Sequence, residues 1–342
     1  MPSSISKNLK TSKITSFIIP TLNSAKVLDD CLSSIVKQSN QSFEILIIDA
    51  NSSDNTLKIA KKYNCKFFKN PLVTAESAKA IGLKEARGYY IAFVDSDNIL
   101  PSKYWLSKML TPFHDPQIIA SEPIKFTYRK NSGYIERYSA LIGANDPYAF
   151  FCGNYDRQSV LTGTWTSLKL KTQKFKKYLK VKIDDNRYIP TIGANGTIFR
   201  KDFLEKHFQG QYLYDIDLLV SAPKPLFVSK VYTGIIHTFC ESSILKFIRK
   251  QNRRVVDYYY FQSRRQYQWQ ANNKSNAIPF TLYSLLIVPT LIDAIRGYLK
   301  KPDIAWFFHP LACYLTWWIY ATVTLKQFFK IQKKLDRKQW RQ

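Results

Sequence analysis

The chain has 342 residues, 45% of them hydrophobic, so it can bury at least one full-sized core and is not a mostly disordered polymer. Its 51 lysines and arginines outnumber 25 aspartates and glutamates, and this +26 surplus predicts anionic partners: phosphates, acidic lipid headgroups or nucleic acid. The five cysteines, Cys31, Cys65, Cys152, Cys240 and Cys313, lie far apart with no Cys-x-x-Cys pair, which argues against a zinc knuckle or a disulfide framework and for a reducing compartment.

Residues 1–13 are polar and basic, lack the apolar stretch of a secretory signal, and read as a loose tail. From Ile14 onward, short apolar runs alternate with helical periodicity, the pattern of a β-α-β series and a parallel sheet. Residues 14–20 read as a buried strand. Asn23 or Ser24 then caps a helix in which Leu28, Cys31, Leu32, Ile35 and Val36 recur at three-to-four spacing. A second strand is expected over 43–49, a short helix after a cap at Ser53 or Asp54, and a third strand over 66–68. A helix over 74–87 is stopped by Gly88, and residues 89–94 form the next strand.

That strand runs into Asp95-Ser96-Asp97. In an open parallel sheet, ligands bind beyond the carboxyl ends of the strands, so these carboxylates fall where a site is expected. Two carboxylates one residue apart can hold a hard divalent cation through oxygen, leaving its other positions for diphosphate oxygens and water. By itself an Asp-x-Asp is common, and a solvated turn or helix cap is the more frequent explanation of it.

Residues 151–190 mix glycine, serine, threonine and aromatics with a run of lysines, which suggests a long surface excursion. Residues 244–262 read as an amphipathic helix, with Ile244, Ile248, Val255 and Tyr259 on one side and Lys246, Arg249, Lys250, Arg253 and Arg254 largely elsewhere, suited to a membrane surface. Two apolar segments follow. Residues 278–295 are interrupted by Pro289, whereas residues 304–325 contain no Asp, Glu, Lys or Arg and are long enough to cross a hydrocarbon core of ~30 Å. A hairpin is expected, either spanning or re-entrant, and the basic tail beyond it argues for a cytoplasmic C-terminus.

Three stretches occur in order: Phe17-Ile18-Ile19-Pro20-Thr21-Leu22-Asn23, Ile47-Ile48-Asp49-Ala50-Asn51-Ser52-Ser53-Asp54, and Gly88-Tyr89-Tyr90-Ile91-Ala92-Phe93-Val94-Asp95-Ser96-Asp97. Together they resemble the N-terminal half of glycosyltransferase family 2, and the likeness extends more loosely to about Arg254. The resemblance implies an α/β GT-A fold: a Rossmann-like, mostly parallel sheet with flanking helices. Here it would be followed by the amphipathic helix and a C-terminal hydrophobic helical hairpin.

The corresponding division is a tail at 1–13, a catalytic domain at 14–238 with halves at about 14–100 and 101–238, an interfacial helix at 239–275, a membrane-associated hairpin at 276–326 and a basic tail at 327–342.

The resemblance also implies residue roles. Pro20, Thr21 and Asn23 would shape a nucleotide pocket and Asp49 would accept from the base, although Asp49 equally suits a turn. Asp95 and Asp97 would serve ribose, Mg²⁺ or Mn²⁺, and diphosphate, and His237 would approach the metal, a structural histidine being the plainer reading. Where family members often carry Ala-Arg-Asn, this chain has Ala78-Lys79-Ala80, so Lys79 would stand in as a point charge near phosphate. Gly193, Ala194 and Asn195 resemble the acceptor-side loop. Tyr214-Asp215-Ile216-Asp217 replaces the Glu-Asp motif that bears the general base, leaving Asp215 and Asp217 as alternatives. Gln251-Asn252-Arg253-Arg254-Val255 resembles the Gln-x-x-Arg-Trp motif of processive members only loosely.

The resulting expectation is an inverting transfer of sugar from a UDP- or GDP-sugar to a lipid-linked or envelope glycan. The enzyme would sit on the cell membrane against anionic lipids, its catalytic domain facing the cytoplasm. Nucleic acid is not expected as a partner, because the basic residues cluster beside apolar segments and no RNP or zinc-finger pattern appears. A catalytically impaired membrane scaffold with the same fold, a nucleic-acid-binding basic protein and a nucleotidyltransferase are the competing readings.

Overall fold

The structure, a computed structural model, describes residues 14–155, 157–193, 195–265 and 276–329. The tails expected at 1–13 and beyond 329, and Ala194 of the acceptor-side loop, lie outside the described residues. The first half follows the β-α-β order: β1 (Thr15–Thr21), α1 (Ala25–Val36), β2 (Phe43–Asp49), α2 (Thr56–Lys61), β3 (Lys66–Lys69), α3 (Ala75–Glu85) and β4 (Tyr90–Phe93). Strands β3, β2, β1 and β4 lie side by side and parallel. Both faces are covered, as parallel sheets require. On β1 and β2, Phe17, Ile19, Ile45 and Ile47 enter one core while the alternating Ile18, Leu46 and Ile48 enter the other.

Helix starts are set by local polar groups. Thr74 accepts from Ser77 N–H and forms a reciprocal capping box at the head of α3. Ser24 occupies the first cap but makes no side-chain capping bond; Asp54 instead accepts from Ala25 N–H at 3.1 Å and from Thr56 N–H at 2.9 Å, serving α1 and α2 together.

The second half adds β5 (Asn98–Ile99), α4 (Trp105–Leu110), β6 (Ile118–Phe126), α5 (Tyr134–Ile142), α6 (Pro147–Phe151), β7 (Lys171–Lys174), β8 (Tyr178–Ile183), β9 (Thr197–Arg200), α7 (Lys201–His207), α8 (Asp215–Ser221) and β10 (Leu226–His237). The sheet order is β3-β2-β1-β4-β9-β6-β10-β8-β7, with β5 pairing β10. Here β9, β8, β7 and β5 run antiparallel to their neighbours, so the sheet is mixed. The excursion expected over 151–190 includes a hairpin on the sheet edge. Its period-two signal, Leu179, Val181 and Ile183 buried between outward Lys180 and Lys182, is hidden within the basic run.

The C-terminal part comprises α9 (Ile244–Phe261), α10 (Ala277–Leu285), α11 (Val288–Lys300), a 3₁₀ turn (Ile304–Phe308) and α12 (His309–Phe328). It shares a core with the preceding part of the chain: Tyr138 and Leu141 of α5 pack in one cluster with Phe239, Phe247, Trp306, Phe308 and Ala312. Asp303 accepts from Arg137 Nε at 3.0 Å and from the Tyr128 hydroxyl at 2.5 Å, tying the 3₁₀ turn to α5. A Cβ on Gly297 would lie 2.4 Å from the Trp306 ring, so glycine is what lets α11 close onto that indole.

Two expectations change here. Among the described residues no single helix is long and apolar enough to cross a membrane. The 304–325 segment opens as a 3₁₀ turn, and α12 buries Ala312, Cys313, Thr316, Ile319 and Val323 against the protein. The 278–295 segment divides into α10 and α11, which meet at 78°. The break falls at Leu286 and Ile287, where Ile287 takes φ 59°, just before Pro289 in the first turn of α11. Helix α9 buries Phe247, Gln251, Val255 and Val256 in the protein rather than presenting an apolar face outward.

Candidate active site

One cleft of about 1340 Å³ opens beyond the carboxyl ends of β1, β2 and β4. Pro20, Thr21, Asp95, Ser96 and Asp97 line one wall; His237, Lys250, Arg253 and Arg254 line another. The cleft then continues between α9, α10 and α12 along Tyr258, Tyr259, Phe280, Trp317 and Tyr320.

The parallel register sets Thr21 beside Asp49. Asp49 Oδ1 accepts from the Thr21 hydroxyl at 2.8 Å and the Ser52 hydroxyl at 2.6 Å, and Oδ2 accepts from Ser52 N–H at 2.8 Å. The turn-forming role considered for Asp49 is thus present in the structure. Asn23, at φ 50°, accepts from Ser53 N–H at 2.9 Å and joins the two strand-end loops, so it supports the pocket wall that Pro20 and Thr21 line.

Asp97 is fixed by the end of β10. Thr238 donates its N–H and its hydroxyl to the Asp97 carbonyl at 3.0 and 3.1 Å, and β5 pairs with β10 at His237. These contacts bring together three groups far apart in sequence: Asp97 Oδ2 lies 3.4 Å from His237 Nε2 and 3.1 Å from Lys250 Nζ. Burial alone would raise the Asp97 pKa, but Lys250 and His237 outweigh it and hold the group well below the ordinary carboxylate range. For Asp95, burial and then the neighbouring Asp97 raise the pKa against the pull of Lys79. The two carboxylates are therefore driven apart by their surroundings.

A metal in the GT-A position fits these residues in part. Among the described residues no three His, Cys, Asp or Glu side chains form a cage, so the protein would supply few ligands and the donor's phosphates the others. His237 is held from its far side. Asn145 Nδ2 lies 3.2 Å from His237 Nδ1 while the buried Asn145 Oδ1 has no hydrogen-bond partner. With the amide turned over, Oδ1 would accept from Nδ1–H and fix the ring with Nε2 toward Asp97.

The two base candidates separate. Asp215 Oδ2 forms a buried ion pair with Lys79, and its other oxygen, Oδ1, is buried without a hydrogen-bond partner. Burial raises the Asp215 pKa against the opposing pull of Lys79. Lys79, expected near phosphate, is thus engaged by Asp215. Asp217 instead pairs with Arg265 at 3.3 Å and faces a smaller groove beside α7 and α8. Of the acceptor-side loop, Asn195 lines the cleft and accepts from Asn98 Nδ2 at 3.0 Å, while Gly193 N–H donates to Glu122 at 3.2 Å. Beneath that loop lies a cluster the sequence did not disclose: Glu122, Arg157 and Lys230, each 1% exposed or less, with Glu122 ion-paired to both bases.

The Glycosyl transferase family 2 model matches residues 16–208, more than half of the chain. The chain belongs to glycosyltransferase family 2. Its GT-A fold is that of a mannosyltransferase from Pyrobaculum calidifontis solved with GDP-Man and Mn²⁺: TM-score 0.51, 12% identity, 94% of this chain and 88% of that one covered. Among curated relatives, glycosyltransferase GlyG of Streptococcus pneumoniae is 33% identical over 95 residues, covering 26% of this chain and 32% of that protein. Chondroitin synthase of Pasteurella multocida is 26% identical over 205 residues, covering 56% of this chain and 20% of that protein. The chain thus spans about a third or less of the length of these relatives.

Proposed function

We propose that the protein is an inverting sugar transferase that uses a UDP- or GDP-sugar donor and a lipid-linked or envelope glycan acceptor at a membrane surface. The observation that carries the donor half is the convergence of Asp97, His237 and Lys250 at the strand ends, a preorganised site for a diphosphate and its counter-ion. Asp97 and His237, with Asp95 behind them, would hold Mg²⁺ or Mn²⁺, which when bound neutralises charge on the departing nucleoside diphosphate. Pro20 and Thr21 form the wall against which the nucleoside packs, and Asp49 keeps that wall in shape through Thr21 and Ser52.

Asp215 is the base in this reading. Its raised pKa and unpartnered oxygen suit a group that takes the acceptor hydroxyl proton, and Lys79 orients it. As the proton leaves, the acceptor oxygen forms its bond to the anomeric carbon. The bond from that carbon to the diphosphate breaks on the opposite face, which inverts the centre.

The acceptor half rests on the continuation of the cleft along Tyr258, Phe280, Trp317 and Tyr320, a lining suited to an acceptor with an apolar portion. Beside it, α10, α11 and the break between them expose Ile278 (74%), Leu286 (62%), Ile287, Val288, Ile292 and Leu299 (75%). This apolar face, with exposed Arg296 on α11 and a chain surplus of +26, matches the interface of an anionic leaflet. The helix pair lies in the plane of that interface, with the catalytic half on the cytoplasmic side.

A panel of sugar nucleotides, scored for released UDP or GDP with and without Mn²⁺, tests the donor assignment. Metal-dependent release with one donor is expected. Release of pyrophosphate would mark a nucleotidyltransferase, and no release with any donor would mark a scaffold.

A further inference from the structure

Lys250 sits in an unusual place for a lysine on a surface helix. Its ammonium lies 3.1 Å from the same Asp97 oxygen that His237 Nε2 approaches at 3.4 Å, and 4.6 Å above the Phe239 ring. Phe247 and Gln251, one on either side in sequence, are buried, and Gln251 donates to the Asn145 carbonyl at 2.8 Å. The backbone of α9 is therefore anchored while the Lys250 stem, 31% exposed, remains long enough to swing.

An ammonium and a divalent cation on one carboxylate oxygen repel each other, because two like charges then stand close together in a partly buried site, so each weakens the hold of the other. Arg253 and Arg254, three and four residues on along the same helix, also line the cleft, so an arriving diphosphate meets a basic wall.

We propose that Lys250 is an internal counter-ion that holds the metal position of Asp97 until donor arrives, then exchanges the carboxylate for the donor's diphosphate. The inference rests on the metal and diphosphate assignment above and deepens it. Lys250 weakens the uptake of a divalent ion by the Asp95 and Asp97 pair alone, so that nucleotide favours entry of the ion. Once Asp97 is occupied by metal, the displaced ammonium has the phosphate oxygens as its nearest anionic partners. No bond is made or broken in this exchange, and Lys250 remains protonated throughout.

The test is a Mn²⁺ titration of the full chain followed by electron paramagnetic resonance, first alone and then with UDP or GDP, in wild type, Lys250→Gln and Asp97→Asn. Without nucleotide, Lys250→Gln should bind Mn²⁺ about fivefold more tightly than wild type, the scale of removing one competing partly exposed charge. With Mn²⁺ saturating, the same variant should bind the diphosphate about fivefold more weakly, for loss of one cation-phosphate contact. Wild-type Mn²⁺ affinity in Lys250→Gln without nucleotide would overturn the inference, as would undiminished diphosphate affinity. Asp97→Asn separates the two levels. If it still takes up Mn²⁺ with nucleotide as wild type does, the metal assignment itself falls. If it loses that uptake while Lys250→Gln behaves as wild type, only the role of Lys250 falls.

Discussion

Glu122→Gln is the substitution whose cost can be worked most directly from the structure. Glu122 accepts from Arg157 Nη1 at 2.8 Å and is ion-paired to Lys230; Gly193 N–H donates to it at 3.2 Å and the Thr197 hydroxyl at 3.1 Å. Glutamine keeps the shape but leaves two buried cations without their anion. Removing one partner of a buried ion pair costs about 3–5 kcal/mol. At roughly 1.4 °C per kcal/mol for a chain of this size, the melting temperature should fall by about 4–7 °C. Burial by itself would raise the Glu122 pKa, but Arg157 and Lys230 outweigh it and hold it below the ordinary 4.5. The sign follows. A group with a depressed folded-state pKa contributes fully above its unfolded value and loses that contribution as pH falls through the folded value. The gap between wild type and Glu122→Gln, followed by circular dichroism melting, should be widest at neutral pH and narrow as the pH is taken below 4.5. A variant melting within about 1 °C of wild type at neutral pH, or a gap that does not change on acidification, would refute this account of the cluster.

Asp215→Asn should lower kcat on the order of 10²-fold or more, whereas Asp217→Asn, which loses its Arg265 ion pair, should leave it within a few-fold; equal effects would remove Asp215 as the base. Because burial raises the Asp215 pKa against Lys79, the acid limb of the kcat profile should lie above the ordinary 3.8, with activity falling as pH drops through it. Leu286→Glu with Ile292→Glu should weaken co-sedimentation with vesicles containing anionic lipid while leaving donor hydrolysis in solution unchanged; retained binding would remove the α10–α11 face as the membrane seat. Gly297→Leu, which drives a side chain into Trp306, should cost about 1–3 kcal/mol in thermal or denaturant unfolding.

The first hundred residues were legible because local signals and tertiary structure agree there. Apolar runs of strand length alternate with amphipathic helices, and the strand-end acids follow directly from the parallel register. Helix α9 was legible as a helix but not in its orientation. It read as an amphipathic helix suited to a membrane surface, whereas Val255 and Val256 are buried in the protein and Lys250, Arg253, Arg254 and Asp257, at helical spacing, share the face that lines the cleft. That i, i+3, i+4, i+7 spacing was the available signal. The ion pairs behind the site left none, because Lys79 meets Asp215 and Glu122 meets Lys230 only after more than a hundred intervening residues have folded. The packing of the 304–325 segment left no signal for a related reason. Length and lack of charge describe a spanning helix and the buried side of α12 equally well, and only the structure shows that Ala312, Thr316 and Ile319 pack on the protein.

With the donor identified, nucleoside diphosphate release by wild type and Asp97→Asn at saturating Mn²⁺ bears most directly on the central claim. The account predicts that Asp97→Asn melts close to wild type but loses turnover by on the order of 10²-fold or more, for removal of the carboxylate on which His237 and Lys250 converge. A folded Asp97→Asn that releases nucleoside diphosphate at the wild-type rate would contradict it.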